Sequence, residues 1–216
     1  MRSYVVLAGN IGAGKSTLVR MICDRLGWEP SYEPVAENPY LADFYADMPR
    51  WAFHSQIFFL TWRARAHRAL MDNPRAVVQD RSFYEDAEVF ARALHRQGFL
   101  SDRDWNTYQS LYRTLTTLLD PPDLVVYLRA SVPTLRQRIA RRAREVEARI
   151  TDEYLAELNT LYEEWIGGFR LAPVLVVPSD SLDFVRDSRD LDAIVTTVQE
   201  RLRGRQGVLF AEINPS

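Results

Sequence analysis

The sequence predicts a three-layer α/β domain with a parallel β-sheet. Short segments rich in apolar and β-branched residues alternate with longer helix-forming stretches, and the first of these segments leads into a glycine-rich turn and a helix. A chain of 216 residues with 47% hydrophobic content is most simply one domain, predicted over residues 1–203 and followed by a tail over residues 204–216. The predicted strands cover residues 4–8, 29–32, 76–79, 123–128 and 173–177.

The glycine-rich turn matches the pattern Gly, four residues, Gly-Lys-Ser without a mismatch. In such a turn the backbone N–H groups point inward and the following helix, predicted over residues 17–26, adds its partial positive charge. Lys15 then reaches the terminal phosphates of a nucleotide, and Ser16 holds Mg²⁺. A chance glycine turn is the alternative, which the strand–turn–helix context disfavours. The residues predicted to bind nucleotide are Gly9, Asn10, Ile11, Gly12, Ala13, Gly14, Lys15, Ser16 and Thr17.

Lys15 is the only lysine in the chain, and every other residue in the combined count of lysine and arginine is an arginine. Retaining one lysine in this turn indicates a need for a compact ammonium group where a planar guanidinium would not fit.

Bulk composition excludes several functional classes. A net charge of −2 gives no electrostatic basis for binding a nucleic-acid polymer. No apolar run approaches the roughly 20 residues of a membrane span, and the N-terminal apolar run is too short for a signal peptide. The single cysteine, Cys23, cannot form an internal disulfide and is expected to be a small core residue instead of a reactive thiol. A cytoplasmic location is expected.

Carboxylates follow two of the predicted strands, Glu33 after the second and Asp80 after the third. In open parallel sheets ligands bind beyond the carboxyl ends of the strands, so both carboxylates are candidates for a site beside the glycine turn. Asp80 is expected to act with Mg²⁺. The alternative for either residue is a helix cap.

A run of arginines occupies residues 135–149, directly after the fourth predicted strand. We expect a mobile lid over about residues 136–150 whose arginines close over transferring phosphates. The alternative is an exposed helix with paired charges on its faces.

A long helix is predicted over residues 51–68, with several aromatic side chains. Gln56 and Arg63 are seven residues apart and share one face of it. An aromatic stripe is usually core, but a glutamine and an arginine on a common face can equally line a pocket.

The motifs together resemble the deoxynucleoside kinase family, and most closely its bacterial deoxyadenosine/deoxycytidine kinases. The resemblance runs over about residues 4–170 and is carried by the glycine turn, Glu33-Pro34-Val35, Arg50-Trp51-Ala52-Phe53-His54-Ser55-Gln56 and Gln79-Asp80-Arg81-Ser82-Phe83-Tyr84-Glu85-Asp86. It implies the P-loop kinase fold with strand order 2-3-1-4-5 and transfer of the γ-phosphoryl of ATP to the 5′-hydroxyl of a deoxynucleoside.

The resemblance also implies residue roles. Glu33 accepts the 5′-hydroxyl proton, Asp80 works with Mg²⁺, and Arg81 contacts the reacting phosphoryl group. The remaining implied roles are base reading by Gln56, Arg63 and Asp86, base stacking by Phe90, binding of the sugar 3′-hydroxyl by Tyr45 and Glu147, and phosphate binding by the lid arginines Arg138, Arg142 and Arg144.

The donor and acceptor pattern of the implied base site predicts its substrate. Asp86 accepts, Arg63 donates and Gln56 does both, which favours a base edge with an exocyclic amine beside a ring acceptor. Adenine and cytosine have that edge, thymine has the reverse, and guanine has the reverse edge but could bind in another orientation. Deoxyadenosine is expected first, on the resemblance, and deoxycytidine next.

Three alternatives remain open. One is a deoxyguanosine kinase, and another is a different small-molecule P-loop kinase such as a thymidylate kinase, against which Glu33 argues because it would repel a phosphorylated acceptor. The third is a nucleotide-binding subunit without turnover.

The chain departs from animal relatives at Glu37-Asn38-Pro39, which leaves the shape of that pocket wall open. Members of the family form dimers, so the resemblance also implies a homodimer whose interface is formed by helices between residues 51 and 112.

Overall fold

The computed structural model describes residues 3–32, 38–143 and 150–207. Within them a five-stranded parallel sheet has the order β2-β3-β1-β4-β5, as predicted. The central strand β1 is buried along its whole length, because it pairs with a strand on each side and is covered by helices on both faces. The strands are β1 Tyr4–Gly9, β2 Glu29–Ser31, β3 Val77–Asp80, β4 Leu124–Arg129 and β5 Val174–Pro178.

The central strand β1 and three further strands each extend one residue further toward their carboxyl ends than the hydrophobic pattern predicts. Asp80 is the last residue of β3, paired with Leu7 of β1, and is not the first residue after the strand. In the same way Arg129 and Pro178 close β4 and β5, where they pair with each other. A polar residue or a proline ends the apolar pattern, but the backbone ladder continues through it because the neighbouring strand is still present.

Helices connect the strands. The helix predicted over residues 51–68 begins earlier, at Met48, because the Asp47 side chain accepts a hydrogen bond from the Arg50 N–H and Pro49 occupies the first turn. The described helices are α1 Lys15–Leu26, α2 Leu41–Ala46, α3 Met48–Met71, α4 Phe83–Glu85, α5 Arg92–Arg96, α6 Asp102–Leu118, α7 Val132–Arg142, α8 Asp152–Gly168 and α9 Ser188–Gly207, with a π-helical segment Asp86–Ala91 between α4 and α5.

Two further predicted boundaries differ from the structure. The arginine-rich helix α7 begins at Val132 and ends at Arg142, where Ala143 adopts a left-handed conformation with φ 49°. Residues 144–149 lie outside the described part of the chain. Helix α9 continues to Gly207, so the tail predicted from residue 204 begins inside a helix.

Side chains alternate across β4 and so build a core on each face of the sheet. Val125 and Tyr127 face the core formed with α3, α6 and α8, whereas Val126 and Leu128 face the core formed with α1, α7 and α9. The three-layer prediction is therefore confirmed. Cys23 lies in the second core, where burial raises the pKa of its thiol to about 11.

None of the helices in the described ranges combines the length and apolar character needed to cross a membrane.

Candidate active site

The glycine-rich turn over residues 9–17, called here the phosphate loop, requires glycine for two separate reasons. Gly9, Gly12 and Gly14 have φ of 146°, 84° and 101°, which favour glycine. In addition, a Cβ on Gly9 would lie 2.8 Å from the Leu128 carbonyl oxygen, and one on Gly12 would lie 2.9 Å from Cγ1 of Ile139. The loop therefore fits closely between the end of β4 and helix α7, and it ends at the N-terminus of α1.

Lys15 is buried at the inner side of this loop. Its Nζ donates to the carbonyl oxygens of Gly9 at 2.6 Å and Asn10 at 3.0 Å. The ammonium group is thus held against the loop that would carry the phosphates, in a place with little water to screen its charge.

The side chain of Asn10 anchors the loop to α8. Its Nδ2 donates to the Leu155 carbonyl at 2.9 Å and to Asn159 Oδ1 at 2.8 Å, while its Oδ1 accepts from the Ile11 N–H at 2.7 Å. The side-chain amide of Asn10 already bonds to groups inside the protein. The predicted contact of Asn10 with nucleotide would therefore be made by its backbone.

Ser16 and Asp80, the two residues expected to act with Mg²⁺, lie next to each other. Ser16 Oγ donates to Asp80 Oδ2 at 2.5 Å, and Asp80 is buried. Two hard oxygen donors at one point fit Mg²⁺, which takes few protein ligands and completes its shell with water and substrate phosphates. Among the described residues, no group of three or more His, Cys, Asp or Glu side chains is placed to hold a metal ion.

Arg81 follows Asp80 in a strained conformation, with φ 66° in the left-handed region. Its guanidinium lies 4.2 Å from the ring centroid of Phe90, the residue expected to stack on the base. Its Nε is 3.9 Å from Glu85 Oε1. Arg81 is thereby directed into the cavity beside the phosphate loop.

The cavity that Arg81 lines, called here the acceptor cavity, has a volume of about 580 Å³. It brings together six of the residues predicted to bind substrate: Tyr45, Gln56, Arg63, Arg81, Asp86 and Phe90. Arg63 Nε lies 2.5 Å from Asp86 Oδ2, with 2% and 4% of the two side chains exposed, so the predicted base-reading pair is formed.

The acceptor cavity also contains residues that the sequence analysis missed. Phe59 lies between Gln56 and Arg63 on the same face of α3, and helical spacing could have identified it. Tyr154 and Glu157 enter from α8, where no local signal distinguishes them from other helix residues. Burial raises the pKa of the Tyr154 hydroxyl to about 12.

A second cavity, of about 720 Å³, lies on the other side of the loop and is called here the donor cavity. Glycines of the loop, Lys15, Ser16 and Thr17 line it together with Arg138, Arg141 and Arg142. Its far wall is residues 180–186, which were not predicted. These residues follow the carboxyl end of β5, so the rule that identified Asp80 would have found them.

Arg138 holds the phosphate loop instead of projecting freely into this cavity. Its guanidinium donates to the Ala13 carbonyl, to Ser179 Oγ and to the Ser179 carbonyl, each at 2.8 Å. Burial lowers its pKa from the usual arginine value. Arg142 lines the cavity, whereas the other predicted residues Glu33, Arg144 and Glu147 lie outside the described ranges.

Comparison with known proteins agrees with this arrangement. The family model described as deoxynucleoside kinase matches residues 5–203. The chain is 37% identical over 206 residues to the deoxyadenosine/deoxycytidine kinase of Bacillus subtilis, covering 94% of this chain and 95% of that protein. It is 32% identical to the deoxyguanosine kinase of the same organism, with coverage of 91% and 96%. A solved structure of deoxyadenosine kinase from M. mycoides with the products dCMP and dCDP has a TM-score of 0.80 at 32% identity and covers 91% of this chain and 99% of that one.

Proposed function

The chain belongs to the deoxynucleoside kinase family, and we propose that it transfers the γ-phosphoryl group of ATP to the 5′-hydroxyl of deoxyadenosine, with deoxycytidine as a second acceptor. One observation carries the proposal. Two cavities meet at the phosphate loop, where Ile11 lines the acceptor cavity and the adjacent Gly12 lines the donor cavity. The loop therefore lies where a phosphoryl group would pass from one bound substrate to the other.

The residues around the loop supply electrostatic stabilisation. Phosphoryl transfer spreads negative charge over the transferred group, and fixed positive groups lower the barrier most where that charge develops. Lys15, the loop amides and the N-terminus of α1 lie on the donor side, and Arg81 lies on the acceptor side. Mg²⁺ held by Ser16 and Asp80 would neutralise charge on the donor phosphates.

Positioning of the acceptor is the second contribution. Holding the 5′-hydroxyl in line with the phosphoryl group removes much of the entropic cost of the reaction. Glu33, matched on the family motif, is proposed to accept the hydroxyl proton. Tyr45 and Glu147 are proposed to hold the sugar 3′-hydroxyl, and Arg142 and Arg144 to bind phosphate.

The buried Arg63–Asp86 pair supports the choice of base. Arg63 fixes Asp86 as an acceptor, and Gln56 supplies both a donor and an acceptor beside it in the same cavity. An exocyclic amine next to a ring acceptor matches this pattern. A thymine O4 facing Asp86 would leave a buried carboxylate against another acceptor, at a cost of about 1–3 kcal/mol or more.

Steady-state kinetics with ATP and the four deoxynucleosides tests the function and the preference together. We expect kcat/KM to fall in the order deoxyadenosine, deoxycytidine, deoxyguanosine, thymidine, with thymidine negligible. A relative 32% identical to this chain is a deoxyguanosine kinase. A preference of this protein for deoxyguanosine would contradict the proposal that its base site selects adenine. Thymidine as the best substrate would contradict the interpretation of Arg63 and Asp86.

We also propose a homodimer and a cytoplasmic location. Phe58 and Trp62 of α3 and Leu111 and Leu115 of α6 are only partly buried, and these two helices pack side by side. A second copy would cover this apolar surface. Light scattering should give twice the chain mass of 25.0 kDa, and a monomer mass at working concentration would refute the dimer.

A further inference from the structure

A buried carboxyl group joins the two halves of the proposed active site. Glu85 closes the short helix α4 and has no exposed surface. Its Oε2 accepts from the Ser82 N–H at 3.1 Å, and its Oε1 accepts from the Gly9 N–H at 3.3 Å. One side chain thus contacts both the phosphate loop and the segment that carries Arg81.

On the acceptor side, the bond to Ser82 stabilises the turn that directs Arg81. Ser82 and Glu85 form a capping box at the start of α4. This capping box holds Ser82, the residue directly after Arg81, in place. Arg81 itself has φ 66°, a conformation that a non-glycine residue keeps only when its surroundings enforce it. The enforcing contacts are this capping box and the hydrogen bond from the Arg81 N–H to the Leu7 carbonyl at 3.0 Å.

On the donor side, Tyr162 of α8 completes the link. Its hydroxyl lies 2.7 Å from Glu85 Oε1 and 2.8 Å from the Gly9 carbonyl oxygen. Lys15 Nζ donates to that same carbonyl at 2.6 Å. Both polar backbone atoms of Gly9 are therefore held: its N–H by Glu85, and its carbonyl oxygen by Tyr162 and Lys15.

We propose that Glu85 is a positioning residue for phosphoryl transfer, which together with Tyr162 holds Gly9 of the phosphate loop and Arg81 of the acceptor cavity at a fixed relative position. The proposal rests on the proposed kinase function. An apolar residue would fill this place in the core without the cost of burying a carboxyl group, so packing alone does not account for it. Burial raises the pKa of Glu85, and the positive charges of Arg81 and Lys15 oppose that rise.

The test uses the variants Glu85→Gln and Tyr162→Phe, each with a matched control. Glu163→Gln makes the same change in a carboxylate that pairs with Arg129 at the surface. Tyr127→Phe removes a hydroxyl that bonds to Glu163, from a ring stacked 5.7 Å from that of Tyr162. For each protein kcat, both KM values, the ATP dissociation constant and the melting temperature are measured.

We expect Glu85→Gln and Tyr162→Phe each to lower kcat by roughly tenfold or more, because small misplacements of reacting groups are costly. KM for the nucleoside should change little. Losing the Tyr162 hydrogen bond should weaken ATP binding by about threefold to tenfold. The double variant should be no slower than the slower single variant, because both changes disrupt the same link. The two controls should stay near the parent values.

Several results would overturn the proposal. Unchanged kcat in both variants, multiplicative losses in the double variant, or a lower melting temperature with normal kcat per folded molecule would each assign Glu85 a purely structural role. If Glu85→Gln fails to fold, Tyr162→Phe decides alone. Failure of the kinase function itself is distinguishable, because the parent protein would then phosphorylate none of the four deoxynucleosides.

Discussion

Arg63 and Asp86 form an ion pair within the acceptor cavity, with Nε 2.5 Å from Oδ2 and almost no exposed surface on either side chain. Removing one charge of a buried pair leaves the other without compensation. We expect Asp86→Asn to lower the free energy of unfolding by about 3 kcal/mol and to reduce discrimination between deoxyadenosine and thymidine. Denaturant titration and kcat/KM for both nucleosides check these effects.

The control for that change is Glu163→Gln, which breaks the half-exposed pair with Arg129. Exposed pairs contribute at most about 1 kcal/mol, so this variant should unfold close to the parent. Equal stability losses in the two variants would contradict the importance assigned to burial of the Arg63–Asp86 pair.

Lys15→Ala should lose nearly all turnover while the fold survives. The change removes the ammonium group at the phosphate loop, and loss of more than about 100-fold in kcat is expected. Circular dichroism checks the fold, and Arg20→Ala, an exposed change on the same helix, is the control. Most of the activity remaining at saturating ATP would rule out the assignment of the loop.

Glu33→Gln should lower kcat with only a modest change in KM. If this carboxylate takes the proton and orients the hydroxyl, the lost interaction belongs mainly to the transition state. The control is Glu29→Gln on β2, whose carboxylate bonds to Asn73 and Arg75. An unchanged kcat would mean that another group, or none, acts as the base.

Arg138→Lys should raise KM for ATP by roughly tenfold, because an ammonium group cannot reproduce the forked hydrogen bonds to Ala13 and Ser179. Ser179→Ala should give part of the same effect, since it removes one of those bonds. Arg136→Lys, at an exposed ion pair on the same helix, is the control. If Ser179→Ala has no effect, Arg138 acts on ATP directly and not through the loop.

His67 should make stability depend on pH. Its Nε2 lies 2.8 Å from the Asp120 carbonyl, an acceptor, so Nε2 carries the proton and Nδ1 faces the Tyr4 hydroxyl at 3.2 Å. Burial lowers the pKa of His67 in the folded protein. Below pH of about 6.5 the unfolded chain therefore binds a proton that the folded protein does not, and stability falls as pH decreases through that range.

Urea titrations between pH 8 and pH 5.5 measure this effect. His67→Gln should reduce the decrease in stability at low pH, whatever its effect at pH 8. His95→Gln is the control, because His95 pairs with the exposed Asp102. Identical pH dependence in the parent and in His67→Gln would assign the decrease to other groups.

Features that depend only on residues close together in the chain could be predicted from the sequence. The glycine-rich turn and the helix after it could be located from the sequence, because glycine conformations and a helix start are local properties of one continuous segment. The strands were located to within a residue or two, since a buried parallel strand must be apolar over its length. The strand order came from the family resemblance, because periodicity does not say which strands are neighbours. The roles proposed for Gln56, Arg63 and Asp86 came from the same resemblance.

Which distant residues share one site could not be predicted from the sequence and became clear from the folded chain. Glu85 and Tyr162 are 77 residues apart, and nothing near either residue indicates that they meet at Gly9. The resemblance gave Arg138 a phosphate-binding role, but only the folded chain brings its guanidinium within hydrogen-bond distance of Ala13 and Ser179. A contact between segments depends on the packing of the elements that carry them, and a sequence pattern reports only how each element is built.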